Sequence, residues 1–473
     1  MKRMPAAFLL FLLAAAGCGG AAFLEGDGVS DPASDDAAGP DLAPEEIDAP
    51  PPVTWARTFG DEDYDWAYGA GQTPDGGFVL AGETWATGEE HLDIMAISLD
   101  AQGEVRWQKI FASEADERHR GLAMAPDGGF VITGARDASE ETGHDILAVK
   151  IDADGEIVWQ VVYVSQGYDW GHTIEATSDG GFIIGGETLP SGGTHTMVVL
   201  KIDGQGNIVW QKVFPRETYG WSIAIDEAPV GGYFIGGETY NDSGNGSSAW
   251  VLRLDEAGGI VWQKAYGGET WVEVWSIAGT PDGGAVLAGA TQEFGAGLND
   301  FWIFRLDGDG EVLWQKACGG IYNDHAKGVE VTADGGFVVT GETWSAGAGS
   351  EDILLLKLDA DGNAVWQRTY GGPDSDWGWA VFGAADGGLF LHGTTDTYGA
   401  GEIDIWALKM DAGGRLGPDC PAGVGVDADL AVSSAPLEPL DTHTEASDAG
   451  LERRELELVG RDMNLAVQAQ CDP

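Results

Sequence analysis

Three residue patterns recur along the chain at a common spacing, and that spacing constrains the fold more than any other property. An Asp that opens a turn stands at 100, 152, 203, 255, 307, 359 and 411. A Gly-Gly pair begins at 76, 128, 180, 231, 283, 335 and 387, and a Trp stands at 55, 107, 159, 210, 262, 314 and 366. Each series has seven members and spans the same 311 residues, a period of 51 to 52. A unit of that length cannot bury its apolar face alone, so it must stack against its neighbours.

The chemistry within one period gives four strands. "TPDGGFVLAGET", Thr73 to Thr84, begins with a Pro-Asp-Gly turn and runs into an apolar strand. "DIMAISLD" follows as the next strand. In "KLDADGNAVWQRTYGG", Lys357 to Gly372, Asp359 and Gly362 occupy the first and fourth positions of a type I turn, so the strands on either side form a hairpin. "DWAYGAGQT", "GFVLAGET", "DIMAISLD" and the Trp strand are then strands one to four, with the Trp strand outermost. At the C-terminal end, 52 residues beyond Trp366 there is Pro418 and no Trp; at the N-terminal end, 52 residues before Trp107 there is Trp55 with no preceding partner. The spacing therefore predicts an all-β, seven-bladed β-propeller of four-stranded blades over 53–416, closed by the N-terminal strand Val53 to Gly60 as outer strand of the last blade. Closure of this kind leaves no long free sheet edge. With 43% hydrophobic and 10% aromatic residues, the chain has ample material for such a core.

Residues 417–473 contain no aromatic residue and cannot form another blade of this kind. Short runs such as "NLAVQAQC" allow a small β appendage, and Cys420 and Cys471, which flank this tail, suggest a disulfide staple.

At the N-terminus, Lys2 and Arg3 precede an apolar run from Pro5 to Ala16 that is too short to span a bilayer. Residues 1–17 read as an export signal. Ala15-Ala16-Gly17-Cys18 resembles the lipobox of bacterial lipoproteins, which implies that Cys18 carries the lipid and that the partner at this end is a membrane. Gly19 after the Cys implies an outer-membrane destination within the cell envelope. Residues 18–52 then form a tether, acidic and Pro-rich between Gly19 and Pro52, where nine Asp or Glu, six Pro and no Lys or Arg extend the chain by self-repulsion.

The repeat, typified by "DGGFVVTGETW" and "DILLLKLDADGNAVWQR", resembles the Trp-containing propeller repeats of exported bacterial lipoproteins. More distantly it resembles the quinoprotein-dehydrogenase propellers, but those carry eight blades and an adjacent Cys-Cys pair, which this chain lacks. The resemblance implies no cofactor and no particular reaction, because propellers host many activities.

With 24 basic and 78 acidic residues, a formal charge of −54, the chain repels phosphate backbones, which excludes nucleic acid as a partner. Nucleophile-elbow, HExxH, P-loop and CxxC patterns are absent. The Asp-x-Asp-Gly turns at Asp152, Asp307 and Asp359 are explained by turn chemistry and imply no metal. "DEDYD" from Asp61 and "NDSGNG" from Asn241 are the better cation candidates, and the recurring Trp are blade packing. One repeat position varies where others stay constant. Tyr68, Arg120, His172, Trp221, Trp275, Lys327 and Trp379 stand at the start of the innermost strands, where a propeller's channel opens. Large aromatic and basic side chains there suit a glycan or a protein ligand. The leading expectation is a binding or scaffolding module. Glycan cleavage, using these residues with nearby Asp65, Asp169, Asp324 and Asp376, is the alternative, and a purely structural envelope protein is the third.

Overall fold

The computed structural model describes residues 52–473 apart from 86–90, 114, 140–142, 166, 190–192, 194, 216–222, 241–245, 419, 421–423, 429, 436–439, 442–451, 456–458, 464–465 and 472–473. Seven antiparallel sheets follow one another around a ring, and in six of them the four blade strands run in sequence order from the inside outward. Blades one to six run Asp65–Ala112, Glu117–Val164, Tyr168–Phe214, Ile223–Gly267, Val272–Gly319 and Asp324–Tyr370. Blade seven takes its three inner strands from Asp376–Met410 and its fourth, Trp55–Gly60, from the other end of the chain. The closing register pairs Trp55 with Lys409 and Phe59 with Ile405. The seven-bladed ring closed by its N-terminal strand is thus the fold that the repeat dictates.

The recurring Trp joins blade to blade. Trp107 donates its indole N–H to the Ala153 carbonyl at 3.0 Å, Trp159 to Gly204 at 3.0 Å and Trp262 to Gly308 at 2.9 Å, in each case at the turn between the third and fourth strands of the next blade. That contact explains the Gly at the fourth turn position. Gly103 has φ +80°, and a Cβ on it would lie 2.7 Å from Cδ2 of Trp55. Both the left-handed backbone and the seat for the indole exclude a side chain there. The turn Asp residues accept from their own backbone: Asp152 Oδ1 from the N–H groups of Asp154 and Glu156, at 3.0 and 2.9 Å.

The C-terminal tail takes a form that composition does not foreshadow. Its short strands lie along the outer edges of the blades in the order six, five, four, two, one and seven: Gly425–Asp427, Ala431–Ser433, Leu440–Asp441, Glu452–Glu455, Val459–Asp462 and Ala466–Cys471. Each pairs antiparallel with an outer strand and becomes the fifth strand of its sheet. The β appendage is therefore a belt whose described strands edge six of the seven blades. A disulfide joins Cys420, at its start, to Cys471, at its end, with Cα atoms 4.5 Å apart. The belt covers the closing strand, and all six residues of Trp55–Gly60 are buried.

Candidate functional site

Innermost strands expose one face to the channel, and side chains alternate along them. In blade two, Arg118, Arg120 and Leu122 face the channel, while Glu117, His119, Gly121 and Ala123 are buried in the blade. At the variable position the alternation is combined with a second device. In all six inner strands where it is described, the pairing register slips at that residue: between Ala67 and Gly69, His119 and Gly121, Gly171 and Thr173, Val274 and Ser276, Ala326 and Gly328, and Gly378 and Ala380. Tyr68, Arg120, His172, Trp275, Lys327 and Trp379 are the extra residues of six β-bulges. A bulge re-aims the side chain and spoils the free edge for further strand pairing. Trp221 lies outside the described residues, as do Cys18 and the loop from Asn241.

All six line one channel cavity of about 960 Å³. Along one wall Trp379 packs edge-on to Tyr68 at 5.2 Å, Arg120 lies over Tyr68 at 4.6 Å, and Trp170 continues the series with Arg120 at 5.8 Å and His172 at 6.2 Å. On the opposite arc Lys327 Nζ sits 3.8 Å over the Trp275 ring. These cations are already matched. Arg120 Nη1 donates to Glu83 Oε1 at 2.7 Å, and Lys327 lies 3.9 Å from Glu342 Oε1. They act mainly as flat or cationic partners of the aromatic rings and less as free anion receptors. Polar valence is left over at Trp379 Nε1, which has no hydrogen-bond partner, while His172 Nε2 lies 3.5 Å from Glu187 Oε1.

Four carboxylates also line the cavity: Glu187, beside His172, and, further along the inner strands of blades three, four and six, Glu175, Asp226 and Glu330. Enclosure by the channel walls, and then the Asp226 and Glu330 charges, push Glu175 well above the usual carboxylate range. The same enclosure raises Glu330 to about 7, with the Asp226 charge adding to it, and Asp226 to about 6 despite the N–H of Gly279 donating to its Oδ2 at 2.6 Å. The channel thus has an aromatic and ion-paired tier and, further along the same strands, an acidic one.

Asp65, Asp169, Asp324 and Asp376, the carboxylates considered for glycan cleavage, do not line this cavity. Each is 0% exposed and stands three residues before the bulge, which puts it on the opposite face of the strand, inside the blade packing. "DEDYD" closes on itself, with the Asp61 N–H donating to Asp65 Oδ2 at 3.0 Å and the Asp63 N–H to Asp61 Oδ1 at 2.9 Å. Sequence reasoning passed over Trp170 and Arg118, which the two-residue period would have given from His172 and Arg120. It also passed over Glu175, Asp226 and Glu330, which occupy a single repeat position, five residues before Gly-Gly, that holds Gly71, Ala123, Ala278 and Phe382 in the other blades.

No family model matches the chain, and no curated protein matches it. Solved structures resemble it in fold. Sqt1 from Chaetomium thermophilum is 13% identical, with 86% of this chain and 100% of that one covered, at a TM-score of 0.43. The Dos1 propeller is 13% identical over 77% of this chain and 96% of that one, at 0.47. A member of the duf4221 family from Bacteroides vulgatus is 11% identical over 81% and 98%, at 0.34. At these TM-scores the blade count rests on the strand pairing of this chain, and the likenesses carry no functional weight.

Proposed function

We propose that this protein is a binding module of the bacterial cell envelope, held to the outer membrane by a lipid on Cys18, and that its central channel takes a neutral glycan. The observation that carries the reading is the convergence of six bulge residues on one cavity of about 960 Å³. Aromatic faces there supply apolar platforms, and unpartnered groups such as Trp379 Nε1 supply hydrogen bonds. Matched ion pairs at Arg120 and Lys327, with Glu175, Asp226 and Glu330 beyond them, favour a hydroxyl-rich neutral ligand over a uronic acid. The envelope reading is supported by the export signal, by the lipobox-like Ala15 to Cys18 and by the likeness of the repeat to Trp-containing propeller lipoproteins.

A glycan-binding screen on the chain from Val53 to Pro473 tests the ligand. A Trp275→Ala, Trp379→Ala double variant is expected to lose binding at least tenfold, about 1.4 kcal/mol or more. Equal binding by both proteins, or binding by neither to any glycan, removes the channel as a glycan site. Cys18→Ser in the full chain is expected to release the protein from membranes, and unchanged membrane fractionation would sink the anchor.

A further inference from the structure

The exposed aromatic side chains among the described residues gather at one end of the ring. Tyr64 and Tyr322 precede inner strands, Tyr168 opens one, Trp275 stands within one, and Trp85 and Trp344 follow second strands, so all six lie at the channel mouth or inside it. At the other end the exposed large apolar side chains are aliphatic. Val158, Val209, Val261, Leu313 and Val365 each stand beside a turn between third and fourth strands, where the recurring indoles are already docked. The ring's own N-terminal end lies there too, because Trp55 pairs with Lys409 and reaches the Ala101 carbonyl. The attachment point of the tether therefore does not compete with the mouth.

Mouth and cavity are joined by side chains on one face of the inner strands. A step of two residues keeps that face and moves about 6.6 Å along the strand. Arg118 and Trp170, one step above the bulge residues Arg120 and His172, still line the cavity. Trp66 and Trp377 hold the same position above Tyr68 and Trp379, and one further step from Trp66 stands Tyr64, stacked on it at 5.3 Å with 20° between the ring planes. In blade five Trp271 and Trp275 both donate their indole N–H to Glu273, at 3.2 and 2.7 Å, so one carboxylate braces two rings. Blade one thus carries Tyr68, Trp66 and Tyr64 in order from cavity to rim, over about 13 Å. That is more than a single sugar ring covers.

We propose that the glycan is a chain of several sugars, its end in the cavity against Trp379 and Tyr68 and its next sugars over Trp66 and Tyr64 at the mouth of blade one. The inference rests on the channel being a glycan site and adds that the ligand is an oligosaccharide or the free end of a polysaccharide. A protein interface concentrates its affinity in a compact, desolvated centre. The exposed rings here stand apart on blades one, three, five and six, with carboxylates such as Glu273 between them. Separate flat platforms with polar groups beside them match a string of sugars, each with an apolar face and a rim of hydroxyls.

The test titrates the full-length protein with cello-, malto- and chito-oligosaccharides from mono- to hexasaccharide, followed by Trp fluorescence and by calorimetry. In the series that binds, affinity is expected to rise by about tenfold or more from mono- to tetrasaccharide and then to level off. A Tyr64→Ala, Trp66→Ala variant is expected to lose most of that rise. Should it not fold, Tyr64→Ala alone, at an exposed ring, is expected to cut the rise by roughly threefold. Binding of no sugar of any length removes the channel reading and the chain with it. Equal affinity at all lengths, or the full rise in a folded double variant, leaves the channel as a site for single sugars and overturns the chain. A dimer in sedimentation velocity that these substitutions abolish would show that a second copy covers the rings, and would overturn it as well.

Discussion

Trp55 donates its indole N–H to the carbonyl of Ala101 at 3.1 Å, across 46 residues. Trp107 reaches Ala153, Trp210 reaches Glu256 and Trp314 reaches Ala360 across the same interval. The first Trp of the series therefore does for blades seven and one what the others do for sequential blades. The N-terminal strand is both the missing outer strand of blade seven and its dock onto blade one. A chain beginning at Asp61 loses that strand, with a fully buried indole whose truncation alone costs about 3–5 kcal/mol. It is expected to melt several degrees below one beginning at Val53, or to aggregate through the bared edge of Asp404–Met410. Calorimetry of the two chains side by side checks this, and identical melting would disprove closure by this strand.

Cys420 and Cys471 close a loop of 51 residues' separation, and the chain between them is the belt. A cross-link of that span restricts the unfolded chain by about 4 kcal/mol in the loop-entropy account. In the folded protein it holds Ala466–Cys471 against the closing strand, where Arg57 Nη1 donates to the Cys471 carbonyl at 2.6 Å. A Cys420→Ser, Cys471→Ser variant is expected to melt lower and to exchange the amides of 56–60 faster. Unchanged exchange there would show that the belt holds without its clasp.

Glu330 and Asp226 give stability a pH dependence of definite sign. Their folded pKa values, about 7 and about 6, lie above the ordinary 4.5 and 3.8. The folded state thus binds these protons more tightly than the unfolded one. Their contribution is complete below the ordinary values and is lost as pH rises through about 6 to 7. Melting is expected to be higher at pH 5.5 than at pH 8, with roughly uniform self-repulsion of the −54 chain acting in the same direction. Glu330→Gln separates the two effects: it should raise melting at pH 8 and flatten the slope, and an unchanged slope would remove the channel carboxylates as its cause.

The ring was legible because its signals are local and repeat. Asp359 to Gly362 defines a turn from four residues, and the Trp interval fixes which strand is outermost. The belt was not, because Gly425–Asp427 or Leu440–Asp441 pair through backbone groups alone, and edge pairing needs no side-chain pattern. At the channel, variation at Tyr68, Arg120 and their equivalents marked the position, but the bulge that aims them has no sequence signature beyond a small residue next to it at several sites. The inner-strand aspartates Asp65, Asp169, Asp324 and Asp376 were visible in the sequence, the last two at a spacing of 52. Nearness in sequence to the bulge suggested the channel, whereas an odd offset along a strand places them on the other face.

The most direct test of the channel as the binding site is a crystal structure of the protein soaked with the glycan that the screen selects. The account predicts a sugar ring stacked on Trp275 or Trp379 inside the cavity that Tyr68, Arg120, His172 and Lys327 share, with a hydroxyl within hydrogen-bonding distance of Trp379 Nε1. Sugar density confined to the outer rim of the blades, with the channel rings undisturbed, would contradict it.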